Sequence, residues 1–195
     1  MDSDEKRFKE RELHIERWKV FLSILTPLAL LLLTWVVNNA IQERGAALDR
    51  EKQILSEKQK IYAEMGRRLN IIFVYVIDVG DFRAYKPPQI VDFKREVDRQ
   101  FFSYRPYWSE ETEKNYNEFM KAAFQTYTGS GKPARLRASR MEKVAAYEFD
   151  KLAWDPVWND YFTEEADREV STKYYRLVSA MLSDTVTPGI RKVAP

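Results

Sequence analysis

Residues 20–37 read VFLSILTPLALLLLTWVV, and no charged residue occurs between Lys19 and Glu43, a run of 23 positions. At about 1.5 Å per residue a helix of that length covers roughly 34 Å, against about 30 Å for the hydrocarbon core of a bilayer. Twelve of the eighteen residues from Val20 to Val37 are Val, Leu, Ile or Phe. Together they favour insertion by roughly 4–7 kcal/mol, before Pro27 and the hydroxyls are subtracted. Trp18 and Trp35 stand at the two ends, at the level where amphipathic rings prefer to lie. The rival is a cleaved secretory signal, which needs an apolar run of only about 7–15 residues and then a small-x-small site. Here the run is longer and ends in Trp35, two valines and Asn38-Asn39-Ala40. The stretch is therefore expected to be an uncleaved, single-pass transmembrane helix.

Six Lys or Arg precede it (Lys6, Arg7, Lys9, Arg11, Arg17 and Lys19), and three follow within twenty residues (Arg44, Arg50 and Lys52). The positive-inside count leans toward a cytoplasmic N-terminus. Six acids share the same tail, so the side holding the following domain stays open. Within the span, Ser23, Pro27, Leu30, Thr34 and Asn38 follow 4-3-4-4 spacing and share one face. Two readings of that face stand side by side. The hydroxyls of Ser23 and Thr34 bond to their own backbone, or the face packs against other copies or lines a pore, since small and polar residues favour helix contacts in lipid.

Working outward, Ile41, Leu48, Leu55, Tyr62, Leu69 and Val76 recur every seven residues, with Ala40, Ala47, Ile54 and Ile61 beside them. Arg44, Glu51 and Lys58 interrupt a strict a/d seam, leaving a narrow apolar strip suited to one neighbour. That neighbour is a second copy, or the chain's own bundle. Ile41, Leu48, Ile54, Leu55, Ile61 and Tyr62 are the residues of this stalk seam, and Gly45 is a position for a hinge. Leu69 to Val79 is nearly all apolar and is expected to end a buried, central helix closed by Gly80; Asp78 within it reads either as a functional buried acid or, more commonly, as a carboxylate paired with a nearby arginine.

Pro87-Pro88 fits the first turn of a helix with a core stripe of Ile90, Phe93, Val97 and Phe101, and with Lys94 and Asp98 paired on its wet side. Ser109 is placed to cap a helix whose buried face runs Tyr116, Phe119, Met120, Ala123, Phe124 and Tyr127. After Gly129-Ser130-Gly131, a helix from Ala134 to Phe149 is expected. An aromatic turn then holds Trp154, Trp158, Tyr161 and Phe162, and a last helix capped by Thr163 carries Val170, Tyr174, Leu177, Val178, Met181 and Leu182. The expected fold is all-α: a transmembrane helix continuing through a long stalk into a four- to five-helix bundle. The parts are a charged tail at 1–19, the span at 20–37, a stalk at 38–66, the bundle at 67–184 and a frayed tail at 185–195.

Chemistry is constrained mostly by what is missing. There is no cysteine, and the one histidine, His14, lies in the charged tail. Thiolate sites, a His-dependent triad, helical nucleases with an Arg-x4–6-His motif and Glu-x-x-His di-iron bundles all lack the cysteine or histidine they need. Gly129-Ser130-Gly131-Lys132-Pro133 resembles a phosphate loop only superficially: Thr126 stands where the first glycine belongs, and proline follows the lysine. Arg135, Arg137, Arg140 and Lys143 form a basic group that reads either as a solvated helix start or as a patch for an anionic ligand or lipid headgroups. The 154–162 aromatics read either as core or as a partner surface. A net charge of +2 gives no reason to expect nucleic acid, and neither cofactor nor metal is expected.

The layout resembles small single-pass effector proteins of bacterial anti-phage systems. The resemblance rests on the span at 20–37, the 40–61 strip, and the segment from Arg67-Arg68-Leu69-Asn70 through Lys94-Arg95-Glu96-Val97-Asp98-Arg99. It covers most of the chain in architecture and no diagnostic motif. It implies a non-enzymatic, oligomerising effector of the bacterial inner membrane that forms a pore or otherwise disrupts the bilayer. Its partners are then the lipid bilayer and further copies of the chain. The alternative is a membrane-anchored scaffold or accessory subunit of a larger envelope complex, which holds a protein partner.

Overall fold

The computed structural model describes residues 3–126, 129 and 131–187; of residues 3–17 and of Val20, Leu22, Ile24, Thr26 and Ala29 it describes the backbone alone. The first helix, α1, runs Ser3–Val76 and contains Pro27; it also passes through Gly45, where a hinge was a possibility on sequence grounds. The chain divides into two units, residues up to Arg50 and residues from Glu51 on. Residues 51–66, expected as stalk, therefore belong to the folded unit. Their apolar strip explains this: Ile54 and Leu55 are half-buried and Ile61 and Met65 are buried.

The C-terminal part of α1 supplies much of the core of this second unit through Ile61, Met65, Leu69, Ile72, Phe73, Tyr75 and Val76. The helix ends before the expected glycine. Asp78 adopts φ +58 and the Val79 amide donates back to the Val74 carbonyl at 3.1 Å, so Asp78 takes the left-handed position that closes a helix of this kind. Asp tolerates that conformation better than most residues, and Gly80 at φ +64 continues the turn.

Helix α2 spans Pro87–Ser103 and begins at the proline pair, with Gln89 accepting from the Lys86 amide. Ile90, Val97 and Phe101 are buried and Phe93 is half-buried. Lys94 and Asp98 do pair, but not in water. Lys94 is buried, and Asp98 also accepts from the Tyr116 hydroxyl at 2.5 Å. Helix α3, Glu110–Ala123, starts at Ser109, whose hydroxyl accepts from the Thr112 amide. Its expected apolar face is buried apart from Tyr127, which lies outside the described residues.

The helix expected from Ala134 is shorter. Phe124–Gln125 (β1) and Arg135–Leu136 (β2) pair antiparallel, Phe124 opposite Leu136, and both side chains are buried. Helix α4 begins only at Arg140 and runs to Phe149, capped by Ser139. Thr163 does not cap the last helix; its hydroxyl oxygen accepts from the Glu165 amide at 3.3 Å, five residues before that helix begins. The Thr163 amide and hydroxyl both donate to the Leu136 carbonyl, at 3.0 and 3.3 Å, and the last helix, α5, is Val170–Val186. Thr185, expected to fray, is buried inside α5. Helices α3 and α5 pack together, and Tyr174 stacks on Phe73 with ring centroids 3.9 Å apart. The second unit is thus a helical bundle with one small β pairing.

Candidate functional site

In the first unit the described side chains of the apolar run stand bare. Phe21, Leu25, Leu28, Leu30, Leu31, Leu32, Leu33, Trp35, Val36 and Val37 are between 47% and 70% exposed. Thr34 donates its hydroxyl to the Leu30 carbonyl at 2.8 Å, the backbone bond that keeps a hydroxyl satisfied in an apolar setting. Ser23, Pro27 and Asn38 are exposed on the same face. Ile41 and Leu48 continue the bare apolar surface at 63% and 55% exposed. Their seam partners Ile54, Leu55, Ile61 and Tyr62 are covered to differing degrees within the second unit. Among the described residues no helix is long and apolar enough to cross a membrane; at five positions inside 20–37 the backbone alone is described.

The basic group of the sequence does not gather into one patch. Arg137 pairs with Glu165 at 3.0 Å and Arg140 with Glu164 at 3.1 Å, while Arg135 is half-buried in β2. Lys143 points inward and is fully buried. Its ammonium donates to the Asp78 carboxylate and to the Tyr75 carbonyl, and it sits over the rings of Tyr75 and Phe82, 4.4 and 4.6 Å from their centroids. Burial pulls its pKa down from the lysine range, and the charge of Asp78 opposes that shift. Asp78 is thus paired as expected, but to a lysine 65 residues away rather than to an arginine. The ammonium also covers a carbonyl in the last turn of α1, where a cation meets the negative end of the helix dipole. A lysine so enclosed has no route to a substrate, so its place is structural.

A second buried cation ties three elements together. Lys58 donates to the Asp184 and Thr187 carbonyls at the end of α5, at 3.2 and 3.1 Å. The Asp184 carboxylate in turn accepts from the Ser109 amide at 2.8 Å and the Thr112 hydroxyl at 2.7 Å, at the start of α3. Desolvation lowers the Lys58 pKa, and Asp184 acts against it. Sequence reading set Lys58 aside as an interruption of the apolar strip, and only its distance to α5 reveals the role.

Trp154, Trp158 and Tyr147 form an edge-to-face cluster, with Trp154 5.2 Å from Trp158 and 5.3 Å from Tyr147. Phe162 is buried beneath them, and Tyr161 packs against the core. A shallow groove of about 400 Å³ beside this cluster is lined by Arg140, Met141, Val144, Glu148, Trp154 and Pro156. Near Gly129 and Gly131 the backbone makes a turn, Lys132 amide to Gly129 carbonyl at 3.2 Å, while Ser130 lies outside the described residues. Among the described residues no three His, Asp or Glu gather as metal ligands. No family model matches the chain, and no curated protein or solved structure matches it either.

Proposed function

We propose that the chain is a non-enzymatic, single-pass membrane protein whose first helix both anchors it and assembles it with further copies. On this proposal it acts as an effector that perturbs the bacterial inner membrane in which it sits. The observation that carries the proposal is the uncharged run from Val20 to Gln42, helical from end to end, with ten described large apolar side chains about half exposed or more. A contiguous apolar surface of that extent is costly in water and is matched by the acyl region of a bilayer. The Thr34-to-Leu30 bond supports the same reading, because a hydroxyl in hydrocarbon needs an internal acceptor.

The test is in two stages. Membranes from cells expressing the full chain are washed with alkaline carbonate, and the protein is expected to stay in the pellet. Mass photometry of the protein in nanodiscs is then expected to show a defined oligomer, and Ser23→Leu with Thr34→Leu to shift it toward smaller species. Release by carbonate defeats the anchor, and a clean monomer defeats the assembly. An accessory-subunit role has one observation of its own, the exposed Met141, Phe149 and Val157 near the Trp154 groove. Unchanged partners on pull-down of Met141→Ser would end that alternative.

A further inference from the structure

The face that carries Ser23, Pro27, Leu30, Thr34 and Asn38 does not stop at the end of the apolar run. Steps of three, four and three residues from Asn38 reach Ile41, Gly45 and Leu48, and α1 is helical throughout. At 3.6 residues per turn all eight positions fall within an arc of about 80°. The first unit therefore bears one continuous stripe, Ser23, Pro27, Leu30, Thr34 and Asn38 followed by Ile41, Gly45 and Leu48. A Cβ built on Gly45 meets nothing within 4 Å, so among the described residues nothing occupies the middle of the stripe.

We infer that this stripe is the contact face for a second copy of the chain, docked parallel and in register. The inference rests on the membrane reading above, because copies anchored in one bilayer are presented side by side with the same polarity. Charge argues for the same arrangement. Arg44 and Asp49 flank the stripe on opposite sides, five residues apart, and neither has an ion-pair partner among the described residues. In a parallel pair, a residue on one flank lies beside the residue five positions further on in its neighbour, so Arg44 of each copy meets Asp49 of the other. An antiparallel pair loses that match. Gly45, between Ile41 and Leu48, lets the two backbones approach closely, as small residues do where helices pack.

The absence of native cysteine makes the test direct. Single Ile41→Cys and Leu48→Cys variants of the full chain are oxidised in native membranes, beside Glu43→Cys and Arg50→Cys on the opposite side of the helix. Disulfide-linked dimer is expected from the first two and little from the others. In the Leu48→Cys background, Arg44→Asp and Asp49→Arg are each expected to lower the crosslinked fraction about threefold, and the double reversal to restore it. Equal crosslinking at all four positions, crosslinking at none, or no restoration by the double reversal overturns the inference. A carbonate-resistant protein that fails here loses the contact face alone; a carbonate-released one loses the anchor as well.

Discussion

Asp78 and Lys143 show what a single buried pair demands. Lys143 is wholly enclosed, and its ammonium donates to the Asp78 carboxylate. Desolvating an ammonium is expensive, and the pair is tolerable because the charge is met by a carboxylate, a helix-end carbonyl and two ring faces. Replacing Asp78 with Asn keeps a residue suited to φ +58 but leaves the cation without its counter-charge. Asp78→Asn is expected to cost about 3 kcal/mol in denaturant unfolding of the detergent-solubilised full chain, whereas Asp78→Asn with Lys143→Met returns close to the parent. A single variant as stable as the double would show that the ion pair contributes nothing. The pairing was half legible in the sequence: an acid in an apolar run calls for a partner, but nothing local says which of the distant cations reaches it.

At the scale of elements, helix ends explain most of the architecture. Ser109 at the start of α3 was readable because its cap is made with Thr112, three residues on. The second acceptor at that start, Asp184, was not, because it comes from the far end of α5. Ser109→Ala is expected to cost about 1 kcal/mol and Asp184→Ala about 2 kcal/mol. The double variant should lose less than the sum of the two single losses, since both side chains hold the same Ser109–Thr112 turn; strict additivity in a double-mutant cycle would contradict a shared cap. The β1–β2 pair makes the same point in reverse. Arg135–Leu136 has helix formers around it, yet Leu136 gains a fully buried place opposite Phe124 and lends its carbonyl to Thr163. Tertiary burial outweighs local propensity there.

At the scale of the whole molecule, the second unit is rich in buried phenols, and that sets its response to alkali. Burial pushes Tyr174 up to about 12, and pushes Tyr75, Tyr116 and Tyr147 upward as well. An unfolded tyrosine loses its proton near pH 10, while the folded one keeps it longer. Between about pH 10 and 12 the folded state binds more protons than the unfolded state, so stability falls as pH rises. Tyr174→Phe is expected to make that fall shallower, read as the denaturant midpoint against pH; an unchanged slope would mean that Tyr174 titrates alike in both states.

The apolar run, the heptad-spaced strip, the starts of α2 and α3 and the helical class were all determined by the sequence alone. Each rests on residues close together along the chain, where spacing translates directly into a face or a cap. The sequence equally placed Arg135, Arg137, Arg140 and Lys143 near one another, and there tertiary structure decided otherwise. Glu164 and Glu165 take two of them and the core takes a third. The same holds for Lys58, for Asp184 and for the point at which the bundle begins. These features depend on which distant groups meet after folding, and the free energy of desolvating a charge is settled by the partners it finds in three dimensions rather than by its neighbours in the chain.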